Sequence, residues 1–346
     1  MHKFLKPIAL LLTIALTATA FCGCSFAPEN DPNVFSTTMV TDTGGVNDGS
    51  FNQSAWAGLQ KLRNEKGAKV NYTESKQVSD FLTNLDRSID GGYDMIWGIG
   101  FDMADSVEHI ARLNPNSSFG LIDATYDDIP ENVCTVTFRG QDAAFIVGYI
   151  AALTTQSNAV GFIGGMHTSV IDQFEYGYKA GVAYGAKELG KEIDVQVQYA
   201  ESYSDAAKAK QIALKMYSNG CDIIFHAAGQ CGNGLFAAAQ EQNKWAIGVD
   251  SDQSYLAPDN CLTSALKRVD NAVYEICNEM MNGEKVTGKH YEFGLAEDCV
   301  GIPEENPNLD PQTYEKAIAV EGMIKDGVIL PPANEQQYND FVTTQL

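Results

Sequence analysis

Basic residues are scarce in this chain. Its 346 residues hold 23 Lys and Arg against 45 Asp and Glu, a formal net charge of −22. Such a balance excludes nucleic acid and anionic lipid headgroups as partners, because both repel an acidic surface. It also disfavours a doubly charged phosphate ligand and leaves neutral or cationic ones. The spacings of hydrolytic and phosphate chemistry are missing too: there is no Gly-x-Ser-x-Gly, no Walker loop and no HExxH. The five histidines, His2, His109, His167, His226 and His290, form no nucleophile–base arrangement. Among eight cysteines there is no CxxC pair and no Cys/His spacing of a zinc site. Cys134, Cys221, Cys231, Cys261, Cys277 and Cys299 lie mostly in apolar strand contexts. Buried free thiols are therefore expected, with room for one disulfide in an exported protein. No stretch is low-complexity.

What is present begins with a targeting segment. His2, Lys3 and Lys6 make a basic start, and residues 7–21 form an apolar run. That run is too short for a bilayer span, which takes ~20 apolar residues. Gly23-Cys24-Ser25 follows, and a small residue before Cys is what a lipoprotein signal peptidase accepts. Cys24 is therefore the expected lipidation site. Cys22 is the alternative acceptor, but the bulky Phe21 directly before it argues against it. Acyl chains anchor at about 0.8 kcal/mol per buried CH₂. Residues 1–24 then read as a lipoprotein signal peptide and 25–33 as a tether to an extracytoplasmic domain, with a plain secretory signal as the alternative.

Roughly 310 residues remain, more than one comfortable core, so two domains are expected. Apolar runs alternate with helix-period runs, the pattern of parallel sheets covered on both faces. Strands are expected at 34–40, 69–73, 94–98, 119–122 and 135–138, with helices at 50–66, 79–89, 103–113 and 142–154. A second series has strands at 159–163, 194–199, 222–226 and 245–249, with helices at 171–189, 204–218 and 232–243. The series echo each other: Gly92-Tyr-Asp-Met-Ile-Trp-Gly matches Gly220-Cys-Asp-Ile-Ile-Phe-His, and each leads, at nearly equal spacing, to a strand ending in Asp123 or Asp250. Two similar Rossmann-like α/β lobes with parallel sheets, joined by a hinge, are expected. A ligand cleft between them would be lined by strand C-termini. This is the type I periplasmic binding protein architecture. The expected lobes are 34–155 plus about 266–290, and 156–265 plus about 291–346. The chain would cross near 154–158, 263–267 and 291–294.

One stretch organises the whole. Val40-Thr-Asp-Thr-Gly-Gly-Val-Asn-Asp-Gly-Ser-Phe-Asn-Gln-Ser-Ala-Trp-Ala-Gly-Leu59 runs from a strand end through a glycine turn into a helix. Ser50 suits the N-cap. The turn presents Asp42, Asp48 and Phe51 together at a strand's C-terminal end. The ordinary alternative is a βα turn with solvated acids.

From Asp42 to Gly58 this stretch resembles D-x-G-G-x-x-D-x-S-F-N-Q-x-x-W-x-G, the signature of the basic membrane protein family of substrate-binding lipoproteins, which includes the purine nucleoside receptor of ABC-type importers. Further segments continue the likeness in order. Phe174-Glu-Tyr-Gly-Tyr-Lys-Ala-Gly-Val resembles the family's F-x-x-G-F-x-A-G. The loop from His226 to Gly234 resembles A-G-G-T-G-x-G, with Gln230 and Cys231 where the family usually has Gly-Thr. Gly248-Val-Asp-Ser-Asp-Gln253 and Leu262-Thr-Ser-Ala-Leu-Lys-Arg-Val-Asp270 match closely.

The resemblance implies a purine nucleoside as ligand, a separate ABC permease as partner, a monomer, no cofactor and no covalent chemistry. A nucleoside base calls for an aromatic face, worth ~0.5–1.5 kcal/mol beyond area burial. Phe51 is the candidate for one face, and Phe174 or Phe225 for the other, with core packing as their alternative role. Ribose hydroxyls call for ionised carboxylates. Asp250 is the best acceptor and Asp123 its counterpart in the other lobe. Lys267 is expected to reach a sugar oxygen while pairing with Asp250, or else to form a structural salt bridge. Asp42 and Asn52 would read base edges, with Ser50 and Gly229 beside them. Asp252 and Gln253 are expected to orient the loop.

Rival readings are a sugar-binding protein of the same fold, a structural or adhesive lipoprotein, and a nucleoside hydrolase. The hydrolase calcium motif D-T-D-x-G-x-D-D, laid over Thr41-Asp42-Thr43-Gly44, leaves Val40, Val46 and Asn47 where acids belong. Calcium takes roughly 6–8 oxygen ligands, so hydrolysis is disfavoured. Acids at strand ends speak against a purely structural role. The leader yields a test. Cys24→Ser is expected to release the protein into the medium or leave the precursor uncleaved, as read by fractionation and immunoblotting. The same result from Cys22→Ser alone would move the anchor to Cys22.

Overall fold

The computed structural model describes residues 34–346. The leader, both candidate anchor cysteines and the tether lie outside the described residues. The first series of elements is β1 (Ser36–Val40), α1 (Phe51–Lys66), β2 (Lys69–Thr73), α2 (Asp80–Asp90), β3 (Met95–Ile99), α3 (Ala104–Leu113), β4 (Phe119–Ile122) and β5 (Val133–Phe138). The second is α4 (Gly140–Thr154), β6 (Ala159–Gly164), α5 (Ser169–Leu189), β7 (Asp194–Tyr199), α6 (Ala206–Ser218), β8 (Ile223–Ala227), α7 (Gly232–Gln242), β9 (Trp245–Asp250) and β10 (Cys261–Lys267). The chain ends with α8 (Val269–Met281), β11 (Lys289–Phe293), β12 (Val300–Gly301), α9 (Pro311–Lys325) and α10 (Glu335–Thr344).

Two sheets result, ordered β11-β5-β4-β3-β1-β2 and β12-β10-β9-β8-β6-β7. Every strand pairing is parallel except that of β12 with β10. In each sheet the first strand of its series, β1 or β6, lies between the second and third. Strand order reverses there, and ligands of open α/β sheets bind outside the strand C-termini at such a point. The central strands β1, β3 and β4 are buried throughout, whereas the edge strands β2 and β7 keep partly exposed side chains. Apolar residues on both faces of the inner strands account for the continuous runs in the sequence. The two-lobe α/β architecture is the expected type I fold.

The echo between the series has a structural explanation. The Asp94 carboxylate accepts from the Ser36 amide and hydroxyl, tying the start of β3 to the start of β1. Asp222 does the same for β8 and β6, accepting from the Thr155 hydroxyl and the amides of Gln156 and Ser157. A carboxylate holding neighbouring strand ends is thus repeated in both sheets, buried at Asp222 and exposed at Asp94.

The first crossing lies earlier than the sequence suggests. The chain leaves the first sheet at Phe138, and α4 packs along α5, α9, β10 and β12. It was expected to close the first series, with the crossing near 154–158. α4 is apolar on nearly all sides, so it carries no stripe to say which sheet it covers. The later crossings follow β10 and β11, since α8 packs on α1 and β12 joins the second sheet.

Close helix contact explains two family-like glycines. A Cβ on Gly181 would lie 1.9 Å from the Phe145 carbonyl oxygen across the α4–α5 contact. A Cβ on Gly58 would lie 2.3 Å from the Asp270 carbonyl oxygen, where α1 meets α8. Trp56 packs edge-on against Tyr72, 4.9 Å between ring centroids. The Trp-x-Gly end of the organising stretch therefore serves packing. All six described cysteines are buried and unpaired. Gly181→Ala is expected to lower stability by about 1–3 kcal/mol through overpacking. Gly322→Ala, in α9 with nothing within 4 Å of the added Cβ, should raise it by about 0.5–1 kcal/mol. Denaturant unfolding of both variants checks the contrast, and equal effects would contradict the α4–α5 packing.

Candidate functional site

The β1–α1 loop is built around Asp48. Its carboxylate accepts from the amides of Ser50, Asn52 and Gln53, at 2.9, 2.8 and 3.0 Å, and so caps α1. Ser50 was expected to do this, but makes no side-chain cap bond. Its hydroxyl instead donates to Asp250 of the second sheet. The carboxylate two residues earlier reaches the helix N–H groups better, and leaves Ser50 free to point across the gap. Asn52 departs from its expected role as well. Its Nδ2 donates to Asp42 at 2.7 Å and to Asp48 at 2.9 Å, while its Oδ1 accepts from the Asp42 amide. At 1% exposure it has no edge left for a ligand; it holds Asp42 in place.

Asp42 Oδ1 also accepts from the Gly44 amide at 2.8 Å. Its other oxygen lies beside Gly100, 3.6 Å from where a Cβ there would stand. Asp123 and Asp250, which follow or end the matching strands β4 and β9, both have left-handed backbones, φ 69° and 65°. That conformation is uncommon away from glycine and clusters at functional sites. It turns both carboxylates into the space between the sheets.

That space is a cleft of about 650 Å³ including its open mouth. Asp42, Phe51, Asp123, Phe174, Gly229, Asp250 and Lys267 all line it. Phe225 does not. It is fully buried against Phe162, Phe174 and Tyr178, so of those two candidates only Phe174 lines the cleft. Lys267 Nζ lies 2.5 Å from Asp123, not on Asp250 as expected. It sits 4.4 Å from the Phe51 ring centroid and 5.9 Å from that of Phe174. The reason is position: β10 delivers Lys267 at the gap, facing the first sheet's carboxylate, while Ser50 occupies Asp250.

The sequence reading missed Phe101, Asp102, Tyr203 and Gln230, which also line the cleft. The strand-end argument extended to β3 would have found Gly100-Phe101-Asp102. Nothing in the loop before α6 marks Tyr203, which reaches the cleft from the second series. Asp252 and Gln253 are absent from the cleft wall. Among the described residues no group of His, Cys, Asp or Glu is arranged for a metal, and no helix is long and apolar enough to cross a membrane.

Residues 35–335 match the family model Bmp, described as ABC transporter substrate-binding protein PnrA-like. A curated relative from Listeria monocytogenes, the CD4+ T-cell-stimulating antigen, is 41% identical over 94% of this chain and 98% of its own. The ABC transporter nucleoside-binding protein BmpA of Lactococcus lactis is 38% identical over 85% of this chain and 88% of its own. A solved solute-binding protein of an ABC transporter system from Aeropyrum pernix superposes with a TM-score of 0.80 at 25% identity, over 89% of this chain and 96% of that one.

Burial pushes the carboxyls of Asp42 and Asp250 up from 3.8 to about 6, against hydrogen bonds that favour the charged forms and, at Asp250, the nearby Lys267. Between those values the folded protein holds more protons than the unfolded chain. The stabilising contribution is complete below 3.8 and is lost as pH rises through about 6. Asn at position 42 keeps an acceptor for Gly44 and Asn52 and does not titrate. Asp42→Asn should therefore gain stability relative to the parent as pH rises from about 4 to about 7. Denaturant midpoints at both pH values check this, and a constant difference would refute it.

Proposed function

The chain belongs to the PnrA-like family of ABC transporter substrate-binding proteins, and from that premise we propose that it captures a purine nucleoside by closing two lobes around it. Each sheet with the helices packed on it acts as one lobe, and the three crossings between sheets form the hinge. The protein works as a monomer outside the cytoplasm, held by lipid on Cys24, and passes the nucleoside to a permease. Its family binds substrates and does not transform them.

One observation carries the reading: phenylalanines from both series, Phe51 and Phe101 from the first and Phe174 from the second, line a cleft whose charged groups are carboxylates and a single cation. Phe51 and Phe174 offer the faces of a flat base what a sugar alone would not need. Asp42, with one oxygen engaged and one facing inward, suits the donors of a purine edge. Asp250 accepts from Ser50, and an ionised carboxylate has about four acceptor positions. It retains capacity for two vicinal ribose hydroxyls. Lys267, held by Asp123, stands where it can donate to a ligand oxygen. Gly229 supplies backbone from the second lobe. The nucleoside-binding relative from Lactococcus lactis adds weight.

Losing one hydroxyl would leave part of the Asp250 carboxylate unpaired in a closed cleft. That costs on the order of 1–3 kcal/mol, roughly 5- to 150-fold in affinity. Nucleoside monophosphates should be rejected more strongly, since Asp42, Asp102, Asp123 and Asp250 surround one already paired lysine. Calorimetric titration with adenosine, 2′-deoxyadenosine, adenosine monophosphate and ribose tests this. Asp250→Asn should lose most of the ribose-versus-deoxyribose discrimination. Free ribose binding as tightly as adenosine would replace the nucleoside with a sugar.

A further inference from the structure

Gln253 lies outside the cleft wall, yet its side chain makes three hydrogen bonds at the joint between the sheets. It is 1% exposed. Its Oε1 accepts from the Val249 amide at 2.9 Å and from the imidazole of His226 at 3.0 Å. Its own amide donates to the Ser264 hydroxyl. Its Nε2 then crosses the gap and donates to the Gly49 carbonyl at 2.9 Å. Two backbone partners of opposite kind, Val249 N–H and Gly49 C=O, fix which end of the amide is oxygen. With oxygen facing His226, the imidazole Nε2 must carry the proton. The other ring nitrogen is buried without a partner, which fits an unprotonated acceptor in a neutral ring.

Space for this arrangement is reserved by glycine. A Cβ on Gly232 would stand 2.0 Å from the His226 ring, and one on Gly248 would stand 2.8 Å from Gln253 Oε1. The residues bridged are also telling. Val249 precedes Asp250, and Gly49 precedes Ser50, whose hydroxyl donates to Asp250. The amide and the Ser50–Asp250 bond therefore close one ring of contacts spanning both sheets.

We propose that Gln253, oriented by His226, is a positioning residue that clamps the cleft shut by holding the Gly49 carbonyl, and so sets how slowly a bound ligand leaves. The clamp rests on the nucleoside reading only for the choice of probe. The second sheet orients the side-chain amide through Val249 and His226, and Ser264 holds the Gln253 backbone N–H. The first sheet supplies a single acceptor, on the loop that carries Asp48, Ser50 and Phe51. Opening the cleft breaks the Gln253–Gly49 bond and leaves the rest intact, so the amide stays aimed for the next closure. A preset donor of this kind adds to the barrier for opening while asking little ordering on closing, so the effect belongs in dissociation.

Gln253→Glu isolates the cross-cleft half. It keeps the acceptor for Val249 and His226 and replaces the donor with a carboxylate oxygen against the Gly49 carbonyl. Adenosine dissociation, followed by stopped-flow displacement, should accelerate about tenfold or more at neutral pH, with association changed less than about threefold. The fraction of closed molecules, read by small-angle X-ray scattering without and with adenosine, should fall. His226→Leu should weaken the clamp in the same direction, while His226→Gln, which keeps a donor for Oε1, should restore slow dissociation. A dissociation rate and a closed fraction both equal to the parent's in Gln253→Glu would overturn the clamp. So would His226→Gln behaving as His226→Leu does. If the parent binds no adenosine, the nucleoside reading fails by itself, and the closed fractions still decide the clamp.

Discussion

The pair of Lys267 and Asp123 joins the two sheets at the cleft wall. Among the described residues it is the one ion pair whose side chains are both under a tenth exposed, at 4% and 7%. Taking two charges out of water carries a penalty that their attraction offsets only in good geometry. Here the ammonium also lies over the faces of Phe51 and Phe138 and near that of Phe174, a further attraction of order 0.5–2 kcal/mol per well-placed ring. Without this cation the strand-end carboxylates would face one another uncompensated. The electrostatics of the cleft, and the approach of the two lobes, both depend on it.

The same pair marks where the sequence stops being legible. Strand-end position identified Asp42, Asp123, Asp250 and Lys267, because a parallel sheet aims its C-terminal residues at one edge. It could not tell which carboxylate meets which donor across the gap. Lys267 meets Asp123 rather than the expected Asp250, and Ser50, expected as an N-cap, meets Asp250 instead. Contacts across an interface are set by how the sheets face each other, and no local pattern encodes that. Asn52 and Phe225 illustrate a second limit. Their residue types suit a ligand as well as they suit a loop or a core, and only burial against Asp48 or Phe162 decides between them. α4 illustrates a third: a helix apolar on nearly every side has no stripe to show which sheet it covers. Where periodicity was strong, as in β1 with α1 and β6 with α5, elements and roles could be read from the chain alone.

Duplication of the α/β unit explains why carboxylates recur at both ends of the strands. Asp94 and Asp222, at the beginnings, are structural acceptors for neighbouring strand ends. Asp123 and Asp250, at the far ends, are aimed inward by left-handed backbones. A repeat of one residue type thus serves two ends of the sheet with opposite exposures to a ligand.

The duplication is broken where selectivity is needed. β5 and β10 are the fifth strands of their series, and each is followed by an arginine: Phe138-Arg139 in one, Lys267-Arg268 in the other. Both arginines pair with acids, Arg139 with the buried Asp142 and Arg268 with the exposed Asp298. The preceding residues face each other instead, with Lys267 Nζ 5.5 Å from the Phe138 ring centroid. Two cations there would repel across the joint, and two aromatics would leave Asp123 and Asp250 without a counter-charge. One of each gives a buried contact with a single cation, itself paired to Asp123. The arrangement leaves the remaining acids as acceptors, which favours a ligand rich in hydroxyl and amino donors over one carrying negative charge.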